Sequence, residues 1–97
     1  MSAYLIAAID RFDLVKYQEY SVRAREALAL HGATISVVDD SPVLIEGKLP
    51  GARAVVLKFP DEAALERFWQ SEKYQEAIPF RHAAANTHFV IKVKGED

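Results

Sequence analysis

Cysteine is absent from this chain of 97 residues, which removes disulfides, thiolate zinc sites and thiol nucleophiles together. Glycine and proline occur four times each and nowhere gather into a linker or a low-complexity tract. No glycine-rich phosphate loop, no G-x-S-x-G elbow and no dinucleotide fingerprint is present. The formal net charge is −2 and no basic block occurs, so the electrostatic footprint of a nucleic-acid groove is missing. The three histidines, His31, His82 and His88, share no i, i+4 spacing, and neither a metal nor a cofactor is expected. Long apolar runs are missing too. Met1 to Asp10 is apolar but too short to span a membrane, and it lacks the basic start and small-residue cleavage site of a signal peptide. No membrane partner is expected, and a cytoplasmic location is the default expectation.

What the chain does have is ordinary globular composition, 51% hydrophobic and 27% charged. Its length fits a single domain over residues 1–97. A domain of this size buries roughly 60–70% of the surface that its unfolded chain exposes, enough for one modest core.

Alternating apolar residues predict a first strand over Ala3–Asp10, with Leu5, Ala7 and Ile9 on one face and Tyr4, Ile6 and Ala8 on the other. Asp13 is placed to cap a helix that runs to about His31 and stops at Gly32. Leu14, Tyr17, Ser21, Ala24 and Leu28 mark its inward stripe. Thr34–Asp39 reads as the second strand, Asp40-Ser41-Pro42 as a turn and Val43–Glu46 as a further extended run. Ala54–Phe59 reads as the third full strand, ended by Pro60. Asp61 caps a helix with Leu65, Phe68 and Trp69 on one face. Ser71 starts a short turn over Glu72–Ala77, which Pro79 is expected to break or kink. Asn86 is a candidate left-handed cap, and His88–Lys94 is the last strand.

The order is β-α-β-β-α-β, the ferredoxin-like α+β arrangement, an antiparallel sheet with helices on one face. The expected helix-facing core is Leu5, Ala7, Ile9, Ile35, Val37, Val55, Leu57, Phe59, Phe89, Ile91 and Val93. The opposite face is then mixed: Tyr4, Ile6, Ala8, Thr34, Ser36, Val38, Val56, Lys58, His88, Val90 and Lys92. It is too apolar to stay bare, and a second copy of the chain is the expected cover.

Several motifs carry a family resemblance. They are Phe59-Pro60, Ala64, Phe68-Trp69, Ser71-Glu72-Lys73-Tyr74 and Pro79-Phe80-Arg81, with Tyr17 to Tyr20, Gly32 and Glu46-Gly47 in support. With these the chain resembles a small bacterial family, domain of unknown function thirteen-thirty, in the dimeric α/β-barrel superfamily. The resemblance implies a ferredoxin-like protomer that pairs as a homodimeric barrel, and it implies no particular reaction. Where the family often ends its second strand with a small residue, a basic residue and glycine, this chain has Val38-Asp39-Asp40.

The candidate chemistry is sparse. Arg81 could clamp a ligand carboxylate through its planar fork, or form an intrachain ion pair, for example with Glu46. Glu46, at a strand end, could act as a general base or stand solvated. His88, on the mixed face, could shuttle a proton, although the sequence offers it no orienting partner. Trp69, Tyr74 and Phe80 could wall a pocket for a planar molecule or serve as core or dimer contacts. Asp39 and Asp40 read as a turn more readily than as a cation site. Two readings follow: a homodimeric small-molecule-binding or structural module, or a cofactor-independent enzyme, monooxygenase- or isomerase-like, acting on a small organic acid or aromatic metabolite. In the second, His88 or Glu46 would move a proton and Arg81 would orient the substrate. The helix-facing side is expected to be packed solid. A ligand is therefore expected on the other face, at the dimer interface, with Tyr4 and His88 on the wall and Arg81 at the mouth.

Overall fold

The computed structural model describes residues 1–97. Seven elements follow in order: β1 (Ala3–Arg11), α1 (Leu14–Leu30), β2 (Thr34–Asp39), β3 (Arg53–Phe59), α2 (Glu62–Gln70), α3 (Glu72–His82) and β4 (Ala85–Lys94). The sheet order is β2-β3-β1-β4, and every neighbouring pair is antiparallel. This is the ferredoxin-like architecture, with the second helical segment divided in two.

Each helix starts on a side chain that accepts an otherwise unpaired backbone N–H. Asp13 accepts from Lys16 at 3.0 Å and Asp61 from Ala64 at 2.7 Å. Ser71 makes the break between α2 and α3: its hydroxyl donates to the Phe68 carbonyl at 2.7 Å and accepts from the Tyr74 N–H at 3.2 Å. Gly32 has a φ of +68° just beyond α1, the left-handed stop that glycine adopts without strain. Asn86 has no such role, since it pairs with Asp10 inside β4 and all positive φ angles belong to glycines.

Pro79 does not end its helix. α3 continues to His82 with Pro79 inside it, although an interior proline removes a hydrogen bond and costs about 3 kcal/mol. Residues on both sides of it are buried, Tyr74 and Ala77 before and Arg81 after, and this packing holds the two halves in line.

The main core is built on the helix-covered face from Ala3, Leu5, Ala24, Ala27, Leu28, Phe59, Leu65, Phe68, Tyr74 and their neighbours. Phe59 and Phe68 are fully buried with ring centroids 5.2 Å apart, and Phe68 stacks on Tyr74 at 4.3 Å. Leu14 does not join this core, being 61% exposed at the start of α1.

Two register irregularities correct the expected assignment of faces. One lies in β2, where Ile35 pairs with Leu57 but Val37 already pairs with Val56. The other lies where β4 meets β1: Phe89 pairs with Ala8, while Thr87 pairs with Ile9. Each extra residue inverts the alternation beyond it. Val38 and Val90 therefore face the helices, and Val37, Phe89, Ile91 and Val93 lie on the other side. Lys92 also faces the helices at the sheet edge, where Glu62 and Glu66 of α2 hold its ammonium at 2.9 and 2.6 Å. The uncovered face is thus more apolar than expected, carrying Ile6, Val37, Val56, Phe89, Ile91 and Val93. Ile91 is 44% and Val37 43% exposed.

Candidate ligand-binding site

The covered face is not packed solid. Between the sheet and the helices lies a cavity of about 40 Å³ whose floor is Leu5, Ala7, Ile9, Val55, Leu57 and Val90. Tyr17 and Tyr20 of α1 and Tyr74 and Arg81 of α3 close it. A second cavity of about 60 Å³ shares Tyr17, Tyr20, Val55 and Leu57 with the first and extends to Arg53. Both exceed the roughly 10–15 Å³ that a single water requires.

Local helix geometry brings the polar groups together. Tyr17 and Tyr20 are three residues apart, and Tyr74 and Arg81 seven apart, spacings that place each pair on one helix face. α1 and α3 pack side by side, so the two pairs meet. Arg81 is only 6% exposed. Its Nη1 donates to the Tyr74 hydroxyl at 2.7 Å and, more weakly, to the Tyr20 hydroxyl at 3.4 Å. The two hydroxyls lie 2.9 Å apart. No carboxylate stands within ion-pair distance of the guanidinium.

The cluster is rich in donors and poor in acceptors. Arginine offers five N–H donors and no acceptor, and stays charged in proteins. The buried Nε of Arg81 has no partner. Burial, then the neighbouring Tyr74, pushes the Tyr20 hydroxyl well above the usual phenol range. Burial and Tyr20 raise Tyr17 likewise. Of the two protons on Tyr20 and Tyr74, only one can lie between the two oxygens, which leaves the other free to donate.

The remaining sequence candidates are dispersed. Tyr74 is buried and belongs to the cluster. Trp69 stacks on Tyr74 at 5.3 Å and lines a separate cleft with Leu5, Val90 and Lys92. Phe80 lies outside, beneath the Arg23 guanidinium at 3.8 Å. Tyr4 is on the uncovered face. Glu46 is exposed in the loop between β2 and β3, and its expected pairing with Arg81 does not occur. Arg81 bonds to phenol oxygens in place of the expected carboxylate.

His88 does have an orienting partner. Its Nε2 lies 2.6 Å from Asp10 Oδ2, and the other oxygen of Asp10 accepts the Ala52 N–H at 2.8 Å. These hydrogen bonds, the His88 one foremost, hold the Asp10 carboxyl below its usual range. Asp10 points away from the helices, because its neighbours Ile9 and Arg11 point toward them. His88 and Arg81 are therefore on opposite sides of the sheet, and no single pocket joins Arg81, His88 and Glu46. Sequence reasoning missed Tyr17 and Tyr20 as site residues beside Arg81, Arg53 at the edge of the second cavity, and Asp10 as the partner of His88 across the sheet. The helical spacing of the tyrosines was a usable signal; the pairing of Asp10 with His88, far apart in sequence, had none.

No helix is long and apolar enough to cross a membrane. Among solved structures, a protein of unknown function from Rhodopseudomonas palustris is similar at a TM-score of 0.76 and 14% identity, covering 99% of this chain and 83% of that one. A dimeric ferredoxin-like protein of unknown function from Jannaschia sp. matches at 0.71 and 13%, covering 98% of this chain and 100% of its own. SnoaB, a cofactor-independent oxygenase from Streptomyces nogalater, matches at 0.66 and 8%, covering 99% and 94%. These likenesses establish the fold. No curated protein matches. The sequence matches the family described as domain of unknown function (DUF1330) over residues 2–95, and the chain belongs to that family.

Proposed function

We propose that this protein is a homodimeric module that binds a small organic carboxylate between the sheet and the helices of each protomer, with Arg81 as the anchor. The observation that carries this reading is the buried Arg81 guanidinium beside a cavity, paired with neutral phenols alone. Burying a charge without a counter-ion costs several kcal/mol. A carboxylate in the cavity supplies that counter-ion and accepts from the unpartnered Nε and the free phenol proton. Charge-assisted hydrogen bonds of this kind contribute about 1.5–3 kcal/mol each. At about 40 Å³ the cavity is well below the roughly 150 Å³ that holds a benzene ring, so its apolar floor suits a carboxylate with a short aliphatic body.

Catalysis on the same class of molecule is less well supported. Neither cavity is lined by a carboxylate or an imidazole. The raised phenols of Tyr17 and Tyr20 stay protonated at neutral pH, so they serve as hydrogen-bond donors and not as bases. The dimer rests on the uncovered apolar face. Burying each large aliphatic side chain there contributes up to about 1.5–3 kcal/mol, against an association cost of about 4–15 kcal/mol. Four of the six, Ile6, Val56, Phe89 and Val93, are already half-buried, so this face offsets the association cost only in part and pairing draws on contacts around its rim as well.

The test is a thermal-shift screen of small carboxylates, each set against its uncharged amide. At a hundredfold excess over Kd a ligand stabilises the folded state by about 2.7 kcal/mol, which is about 10 °C or more in a domain of this size. At least one carboxylate should raise the melting temperature while its amide does not, and Arg81→Met should abolish the shift. A panel in which no carboxylate acts, or in which the amides act equally, contradicts the reading.

A further inference from the structure

The mouth of the covered-face site carries a second cationic group whose chemistry is only partly satisfied. Arg53 lines the 60 Å³ cavity from within and an outer cleft of about 110 Å³ from without. Arg11 lines the same outer cleft. The two guanidiniums flank the Tyr17 ring, each 5.4 Å from its centroid. They share one carboxylate: Asp40 Oδ1 lies 2.9 Å from Arg11 Nη2 and 3.0 Å from Arg53 Nε. The second contact has ion-pair distance without hydrogen-bond alignment, so the buried Arg53 Nε stays unsatisfied as a donor. Asp40 is about half exposed (54%), whereas Arg53 is mostly covered (17%). Asp40 sits just beyond β2 and outside the buried core.

We propose that Arg53, with Arg11, forms a second anion subsite at the mouth of the cavity, and that the ligand anchored on Arg81 is a dicarboxylate. This rests on the Arg81 reading and extends it to the far end of the ligand. The two subsites are linked through contiguous side chains. Arg81 lies 5.4 Å from the Tyr20 ring centroid, Tyr20 and Tyr17 are 5.3 Å apart, and Tyr17 is 5.4 Å from Arg53. Val55 and Leu57 run beneath both cavities, so an apolar spacer between two carboxylates has a continuous floor. Asp40 occupies the outer subsite as an internal stand-in. The ligand's second carboxylate displaces it and pairs with a planar fork that Asp40 engages only imperfectly. Asp10 also lines the outer cleft, but its two oxygens are taken by His88 and the Ala52 N–H, so Asp40 is the carboxylate that the two guanidiniums share.

Calorimetric titration of the whole protein with α,ω-dicarboxylates of increasing length tests this, each compared with the monocarboxylate of equal chain length. The best dicarboxylate should bind at least about tenfold more tightly than its match, the gain from one charge-assisted hydrogen bond. Arg53→Gln should erase that difference and leave the monocarboxylate unchanged. Asp40→Asn should tighten the dicarboxylate several-fold and leave the monocarboxylate where it was. If both ligands bind equally to the wild type and Arg53→Gln alters neither, the outer subsite is wrong and the Arg81 reading survives. If neither binds, both are overturned. Circular dichroism of each variant confirms that it is folded, since Arg53 and Asp40 lie outside the buried core.

Discussion

The two faces of one sheet solve different problems. The covered face is a packed aromatic and aliphatic core with a charged arginine and a cavity set into it. The uncovered face is a broad apolar surface with polar groups toward its ends, Asp10 and His88 where the β2–β3 loop crosses the end of β1, and Tyr4, Thr34 and Lys58 at the opposite end. A face built only to be filled would not retain a guanidinium without a counter-ion, because replacing it with an aliphatic residue is commonly neutral or stabilising. A face built for a small ligand would not offer an uninterrupted run of Ile, Val and Phe. On the proposed reading, ligand binding belongs to the inside of the protomer and assembly to the outside.

Substitutions on each face should separate the two roles. The largest effect belongs to the covered core: Phe68→Ala should cost about 3–5 kcal/mol, measured by urea denaturation at any protein concentration. On the uncovered face, Ile91→Arg should leave the isolated protomer folded and shift the mass seen by light scattering from twice 10.9 kDa to the single value. A wild type already at the single mass would remove the assembly half of the contrast. Arg81→Met should lower ligand-free stability by less than about 1.5–3 kcal/mol, the contribution of a charge-assisted hydrogen bond, because the uncompensated buried charge leaves with it, and it should still abolish carboxylate binding. A large loss of stability instead would make Arg81 structural.

The smallest effect concerns acid. Asp10 has its carboxyl pulled below its ordinary value of 3.8 by His88 and the Ala52 N–H. A depressed folded-state pKa stabilises the protein above the unfolded value, and that stability is lost as pH falls through the folded value. Wild-type stability should therefore hold above about pH 4 and decline below it, with a shallower decline in Asp10→Asn. Identical acid profiles would show that the Asp10–His88 bond carries no stability.

Much of the fold was legible because its signals are local. Asp13, Asp61, Ser71 and Gly32 mark helix ends by the chemistry of unpaired backbone groups, and Leu5, Ala7 and Ile9 alternate cleanly. The face assignments of β2 and β4 were not legible. A bulge adds one residue without any distinctive side chain, and Lys92 looks solvent-facing until Glu62 and Glu66 are placed above it. The site was hidden by one residue in particular. Reading Pro79 as a break separated Tyr74 from Arg81, although their spacing over an unbroken helix puts them on one face beside Tyr17 and Tyr20. The packing that overrides proline is tertiary, and the sequence around Pro79 does not carry it.

The most direct test of the inside-against-outside assignment is a nuclear magnetic resonance titration of the labelled protein with the carboxylate that gives the largest thermal shift. Chemical-shift changes should concentrate on Tyr20, Leu57, Tyr74 and Arg81, with Ile6, His88 and Ile91 essentially still. Changes centred on His88 and Asp10 would place the ligand on the uncovered face and contradict the account.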